Sequence, residues 1–333
     1  MKTSLGPGLR PTRRDLLRLG GAALVGSAAG LAGCRSRRGP DPAAAAAQTA
    51  EPSTPDFTAA FLTDPHVHAE QGAAEGFASA LDHAFGQERL PELLITGGDL
   101  AFDVLATGPE QADAQYALFE QPLRSVRVPV HHTVGNHDVL GVYEESGMAE
   151  GDEGYGKSYY LERFGLERPY HSFDHEGWHF VILDTIGIVE RRYRGWVDEE
   201  QLAWLEDDLA ASARPTVVVG HIPLLSNYVE WRRGTAEPLP EGASVVNAHE
   251  VLELLERHPV RLVLAGHLHV VESYRFKGLE LANLGAVSGN WWRGLRDGFE
   301  EGYGLLEFRG DEVSWRYVDY GWETRDPETD APA

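Results

Sequence analysis

The chain has 333 residues and a formal net charge of −23, which excludes a nucleic-acid-coating surface or an anionic-membrane-binding face and favours a self-repelling, soluble body. Hydrophobic residues at 42% and aromatics at 10% supply a core large enough for one α/β domain plus a tail. A single cysteine, Cys34, excludes any disulfide within the chain.

In chain order, the first segment opposes the rest. Lys2, Arg10, Arg13, Arg14 and Arg18 precede or enter the apolar, Gly/Ala-rich run of residues 16–33. A basic start, a short apolar centre and small residues at the end form a secretory signal rather than a spanning helix. Thr12-Arg13-Arg14-Asp15-Leu16-Leu17-Arg18 resembles a twin-arginine signal, which implies the export machinery that carries folded proteins. Leu31-Ala32-Gly33-Cys34 resembles a bacterial lipobox, in which Cys34 is lipidated and becomes the mature N-terminus. The expectation is an exported protein of the bacterial cell envelope, tethered to a membrane by lipid alone and facing the periplasm or exterior. Residues 34–56 hold Pro40, Pro42, Pro52 and Pro55 with few large apolar side chains, and read as a disordered spacer.

A folded body spans residues 57–322, followed by a loose acidic tail at 323–333. Residues 57–63 form an apolar strand that ends in Asp64-Pro65-His66-Val67-His68. Phe77, Ala80, Leu81, Ala84 and Phe85 then repeat at helical spacing. Residues 93–96 form a strand ending at Gly97-Gly98-Asp99, and a helix near 110–123 leads to a strand at 128–133. That strand runs into Gly135-Asn136-His137-Asp138, where glycine permits a sharp turn. Residues 141–157 are Gly- and Glu-rich without periodicity and read as a long functional loop.

A strand at 178–183 and a helix at 198–211 follow, the helix with Asp198 and Gln201 at capping-box spacing and Leu202, Leu205 and Leu209 as its apolar stripe. Residues 216–219 form a buried strand ending at Gly220-His221. Residues 222–246 are irregular and suited to capping a pocket. Asn247 and Glu250 again have capping-box spacing, before a strand at 262–265 that ends in Gly266-His267-Leu268-His269. The remainder reads as strands near 270–276, 279–282, 303–308 and 313–320.

Each polar cluster thus lies directly after a strand, and in α/β sheets ligands bind outside the carboxyl ends of strands. Asp64, His66, Asp99, Asn136, His221, His267 and His269 make an oxygen and nitrogen donor set suited to Mn, Fe or Zn. The ordered set Asp64-Pro65-His66, Gly98-Asp99, Gly135-Asn136-His137-Asp138, Gly220-His221 and Gly266-His267-Leu268-His269 resembles the calcineurin-like metallophosphoesterase superfamily. The resemblance implies a four-layer α/β/β/α sandwich and two divalent or trivalent transition-metal ions. One ion falls to Asp64, His66, Asp99 and His269, the other to Asp99, Asn136, His221 and His267. It further implies in-line attack on a phosphomonoester or phosphodiester by a metal-bridging hydroxide. His137, positioned by Asp138, then serves the leaving oxygen. Phe102 stands where purple acid phosphatases have tyrosine, which sets that subgroup aside.

Trp291, Trp292 and Arg293, between Gly289 and Gly298 with Arg296, suit a loop that borders the site and meets the substrate phosphate. His68, His131 and His132 match no ligand position, and His171, His175 and His179 read as strand or loop histidines without chemistry. Two rival readings remain. Asp64-Pro65-His66-Val67-His68 also looks like the opening of an amidohydrolase barrel, which requires a (β/α)₈ architecture and a strand-end Lys. The other rival is a non-catalytic metal- or ligand-binding lipoprotein on the same fold.

Overall fold

In chain order the computed structural model contains β1 (Phe57–Leu62), α1 (Ala73–Ala84), β2 (Leu93–Thr96), α2 (Pro109–Leu123) and β3 (Val130–His132). Then come α3 (Ser158–Phe164), β4 (His171–His175), β5 (Trp178–Ile182), β6 (Ile186–Val189), β7 (Arg192–Gly195), α4 (Glu199–Ala211) and β8 (Thr216–Val219). The chain finishes with α5 (Tyr228–Arg233), α6 (Ala248–Leu255), β9 (Val260–Ala265), β10 (Val271–Phe276), β11 (Leu279–Leu284), β12 (Gly302–Arg309) and β13 (Glu312–Asp319). Residues 54–236 and 239–325 are described. The signal sequence, Cys34, nearly all of the spacer and most of the tail lie outside the described residues.

One sheet has the order β13-β12-β1-β2-β3, the other β10-β11-β9-β8-β5-β4, and β6 and β7 form a separate hairpin. β1, β2 and β3 run parallel, as do β11, β9, β8 and β5, so their carboxyl ends can open on one crevice. The period-2 alternation of strands sorts side chains between layers. Phe57, Ala59 and Phe61 of β1 join Phe180, Ile182, Val217, Val219, Leu262 and Leu264 in the core between the sheets. Their neighbours Ala60 and Leu62 belong instead to the helix-facing core, with Phe77 and Leu81 of α1 and Tyr116 and Phe119 of α2. On the second sheet, Val218 and Val263 share that kind of core with Leu205 and Leu209 of α4 and Val251 of α6. Each such fully buried large side chain contributes about 1.5–3 kcal/mol. Two sheets between two helical layers are the expected α/β/β/α sandwich. The (β/α)₈ barrel of the amidohydrolase reading is overturned by this topology.

Local departures have physical reasons. Asp198 does cap α4, accepting from Gln201 N at 2.8 Å, but Gln201 does not close the box. Its amide instead clamps the backbone of Asp184, accepting from Asp184 N and donating to Asp184 O, both at 2.8 Å. Asn247 likewise leaves the start of α6 uncapped and pairs with the backbone of Val197 at 3.1 and 2.7 Å. Buried backbone groups must be satisfied, and these two amides satisfy loops rather than helix ends. β4, the β6–β7 hairpin, α3 and α5 carry no clean periodicity in sequence. β3 is shorter than expected, and its three residues lie at the edge of the first sheet.

Candidate metal centre

Five strand ends supply the seven candidate ligands: β1 brings Asp64 and His66, β2 Asp99, β3 Asn136, β8 His221, and β9 His267 and His269. Asp64, His66, Asn136 and His221 have no exposed surface, and Asp99 and His269 have almost none. Asp64, His66 and His269 form one set whose donor atoms lie within 4.8 Å of one another; Asp99, His221 and His267 form another. His66 Nε2 is 3.1 Å from His269 Nε2, and His269 Nε2 is 3.2 Å from Asp64 Oδ1. His221 Nε2 is 3.1 Å from both Asp99 Oδ2 and Asn136 Oδ1. Spacings near 3 Å equal the edge of a coordination polyhedron with bonds of about 2.0–2.2 Å.

The backbone orients the imidazoles for this purpose. His66 Nδ1 faces Phe102 O at 3.2 Å, His221 Nδ1 faces Gly97 O at 2.8 Å, and His269 Nδ1 faces Gly289 O at 2.5 Å. A carbonyl only accepts, so each of these nitrogens carries a proton and it is Nε2 that faces the cluster. His267 does the reverse, donating from Nε2 to Gly242 O at 2.8 Å. The carboxylates are held too: His267 N donates to Asp64, and His137 N donates to Asp99 Oδ1 at 2.8 Å. This donor set fits transition-metal ions.

Electrostatics point the same way. Burial pushes His66 down to about 3 and His267 down to about 4, so both rings are neutral donors at pH 7. Burial also acts to lower His221, but the Asp99 and Asp64 carboxylates outweigh it and lift the ring to about 9. Burial works to raise Asp99, and the surrounding imidazoles, His221 first, hold it well below the usual carboxylate range. A proton on His221 balances negative charge that a cation would otherwise balance.

The ligand backbone is strained. Asp64, His66, Asp99, His267 and His269 have φ of 53°, 42°, 52°, 71° and 58°, a region costly for residues with a Cβ. Such strain persists only where the surroundings over-determine it, and it clusters at functional sites. Two glycines make the close approach possible. A Cβ on Gly135 would lie 2.1 Å from Asp99 Oδ1, and one on Gly266 would lie 2.2 Å from Asp64 Oδ2.

Asp138 takes a role different from the one expected. Asp138 does not orient His137. Its buried carboxylate accepts from Leu100 N at 2.9 Å, Ala101 N at 3.2 Å, Gly135 N at 2.8 Å and Tyr116 Oη at 2.9 Å. It thereby splints the β2 and β3 turns together. The carboxylate beside the His137 ring is Asp103, 3.7 Å from Nδ1, with the imidazole 24% exposed. Burial lowers the His137 pKa, but Asp99 and Asp103 outweigh it and the net direction is up.

A cavity of about 430 Å³ opens over the cluster, lined by Asp99, His137, His267 and His269 together with Tyr143, Arg192, Tyr193, Tyr228, Trp291 and Arg296. Trp291 lies in that wall, its ring 4.6 Å from His269, with the Arg296 guanidinium 5.2 Å from its centre. Trp292 does not. It is fully buried, packs on Gly76 of α1, and donates from Nε1 to Pro65 O and His66 O at 3.0 and 3.1 Å. It therefore props the backbone of the first ligand turn. Arg293 is not among the lining residues, whereas Arg296 is. Asp103, Tyr143, Arg192 and Tyr193 went unread in the sequence; only the spacing of Asp103 from Asp99 offered a signal. His68, His131 and His132 stay outside the cluster, packing on Phe102, Phe173 and Phe164 respectively.

A sandwich whose parallel strands aim clustered metal-binding side chains into one cavity defines a metal-dependent hydrolase class. The model of the calcineurin-like phosphoesterase family matches residues 57–271. The chain belongs to that family and is a hydrolase acting on phosphate esters. It is similar to a protein named probable cyclic nucleotide phosphodiesterase from Xenorhabdus bovienii, 26% identical over 225 residues, covering 66% of this chain and 79% of that one. It is also similar to the 3′,5′-cyclic adenosine monophosphate phosphodiesterase CpdA of Escherichia coli, 26% identical over 62% of this chain and 68% of the other. In fold it resembles a dimetal phosphatase from Danio rerio, with a TM-score of 0.55 and 16% identity over 80% of this chain and 100% of that one.

Proposed function

We propose that the chain is a two-metal phosphodiesterase that hydrolyses one ester bond of its substrate with water. The supporting observation is the convergence of seven ligand-type side chains from five strand ends, six of them buried and His267 partly so, with Asp99 Oδ2 3.5 Å from His66 and 3.1 Å from His221. Asp64, His66, Asp99 and His269 would hold one ion, and Asp99, Asn136, His221 and His267 the other. When bound, the pair supplies electrophilic pull on the phosphoryl oxygens and activation of water.

The chain's own groups do the rest. Arg296, and Arg192 at the hairpin, line the same cavity and offer donors to non-reacting phosphate oxygens. His137, whose pKa Asp99 and Asp103 raise against the lowering effect of burial, delivers a proton to the leaving oxygen. Trp291 closes one side of the cavity beside His269. The diester preference is supported by the cyclic nucleotide phosphodiesterases among the relatives.

The test is hydrolysis of bis(p-nitrophenyl) phosphate and p-nitrophenyl phosphate by the purified chain loaded with Mn, Fe or Zn. Faster turnover of the diester is expected, and Asp99→Asn should lose metal as well as activity. Metal bound without hydrolysis of either ester would favour the non-catalytic binding protein instead. Faster turnover of the monoester would make it a phosphatase.

The same reading includes twin-arginine export and a lipid tether at Cys34, which rest on the sequence motifs alone. Mass spectrometry of the mature N-terminus tests them. A diacylated Cys34 is expected, and cleavage elsewhere sinks the tether.

A further inference from the structure

A second cavity of about 330 Å³ adjoins the first, and Tyr228 lines both. Its walls come from α5 (Tyr228 and Trp231), from Val270 and β10 (Val271, Glu272 and Tyr274) and from Phe299. Its volume lies at the low end of small-molecule pockets, which run from about 300 to 1,000 Å³. From the geometry we infer that it is a subsite for the organic group esterified to the phosphate, and that this group is flat, uncharged and of nucleoside size. This inference rests on the phosphoesterase reading above.

Three observations support it. First, Trp231 is 74% exposed, the largest exposure among the large hydrophobic side chains described, although it forms part of a cavity wall. An uncovered indole set among Tyr228, Tyr274 and Phe299 presents aromatic faces on which a planar group gains stacking as well as area.

Second, the two carboxylates that line the cavity are already engaged. Asp297 pairs with Arg232 at 2.8 Å and accepts from Tyr228 Oη. Glu272 accepts from Asn283 Nδ2 at 2.5 Å and also from Tyr274 Oη. Their acceptor sites are filled by donors of the protein, and the charge that Glu272 keeps repels a second anionic group. Third, the Asp297 contacts tie α5 to the 290s segment, so these two walls are fixed relative to each other before anything enters. Pre-formed walls cut the ordering cost of binding. A phosphate over the metal-ligand cluster would therefore point its larger substituent past Tyr228 into a ready cavity.

The experiment compares two diesters that release the same p-nitrophenolate, thymidine 5′-(p-nitrophenyl phosphate) and methyl p-nitrophenyl phosphate, on the metal-loaded full chain. Wild type should prefer the thymidine ester about tenfold or more in kcat/KM, mostly through KM. Trp231→Ala, which removes an exposed ring, and Val271→Phe, which fills the groove from the edge strand, should each reduce that ratio toward one. Equal turnover of the two esters by wild type overturns the subsite and leaves the phosphoesterase reading standing. So does a parallel loss on both esters in the variants. No hydrolysis of either ester overturns that reading and the subsite with it.

Discussion

Asp138 ties four donors together, whereas Asp103 accepts from Leu105 N at 3.0 Å and stands beside the His137 ring, and their substitutions should separate cleanly. Asp138→Ala orphans the N–H groups of Leu100, Ala101 and Gly135 and the Tyr116 hydroxyl, at a cost of about 3 kcal/mol or more. Denaturant melts should show that loss. Asp103→Asn removes the charge that helps hold a proton on His137, so the His137 pKa falls. The alkaline limb of the kcat profile should move to lower pH, with kcat down about tenfold or more and the unfolding midpoint nearly unchanged. An unmoved limb would mean that Asp103 does not tune the ring. At this scale the residues that meet in the cluster were legible because each closely follows an apolar run that reads as a strand. The partner of His137 was not, because a carboxylate's neighbour is decided by tertiary packing. Trp291 and Trp292 show the same limit. Consecutive left-handed residues, φ 51° and 67°, send one ring to the cavity and the other into the core, and no periodicity in sequence announces such a pair.

Elements position the site through contacts that cross between them. Gly266 brings the β9 turn so close to the β1 turn that an added Cβ would sit 2.0 Å from Thr63 Oγ1 and 2.2 Å from Asp64 Oδ2. Gly266→Ala should therefore lower metal content measured by plasma emission, with activity lost in proportion. Full occupancy would show that the turn yields. The β6–β7 hairpin, which carries Arg192 and Tyr193 to the cavity, is pinned from below by Lys157, whose ammonium meets Asp184 and Ile186 O. Arg191 adds hydrogen bonds to Gly141 O and Tyr143 O at 3.2 and 2.9 Å. Lys157→Met leaves Asp184 buried without its charge partner. It should lower the unfolding midpoint and raise KM more than it lowers kcat, since the hairpin holds substrate rather than reacting atoms. An unchanged KM would detach the hairpin from binding. Most strands and the long helices were readable from alternation and helical spacing. The hairpin, α3 and α5 were not, because each is too short for alternation or helical spacing to stand out in the sequence.

For the molecule as a whole, the cluster ties stability to pH and metal. In the metal-stripped chain the raised His221 contributes stability that is fully present below pH 6.5 and is lost as pH climbs through about 9. His66 and His267, held down to about 3 and about 4, act in the other direction. The unfolded chain binds protons that they refuse, so stability falls as pH drops from 6.5 toward 4. Calorimetry with chelator should find the highest unfolding temperature near pH 6–7, and metal should abolish the alkaline loss by displacing the His221 proton. A flat alkaline side in the stripped protein would contradict the charge balance derived for the cluster.

The pairing of β1 carries one more consequence. This strand, which leads into Asp64 and His66, is flanked by β2 on one side and by β12 on the other, with Phe57 opposite Phe308. The first strand of the body to leave the ribosome thus waits for one of the last before its backbone is fully paired. Non-local pairing of this kind is slow and must close a long loop. A message truncated ahead of Gly302 would leave β1 as a hydrophobic edge, and its product should collect as aggregate rather than as a smaller enzyme.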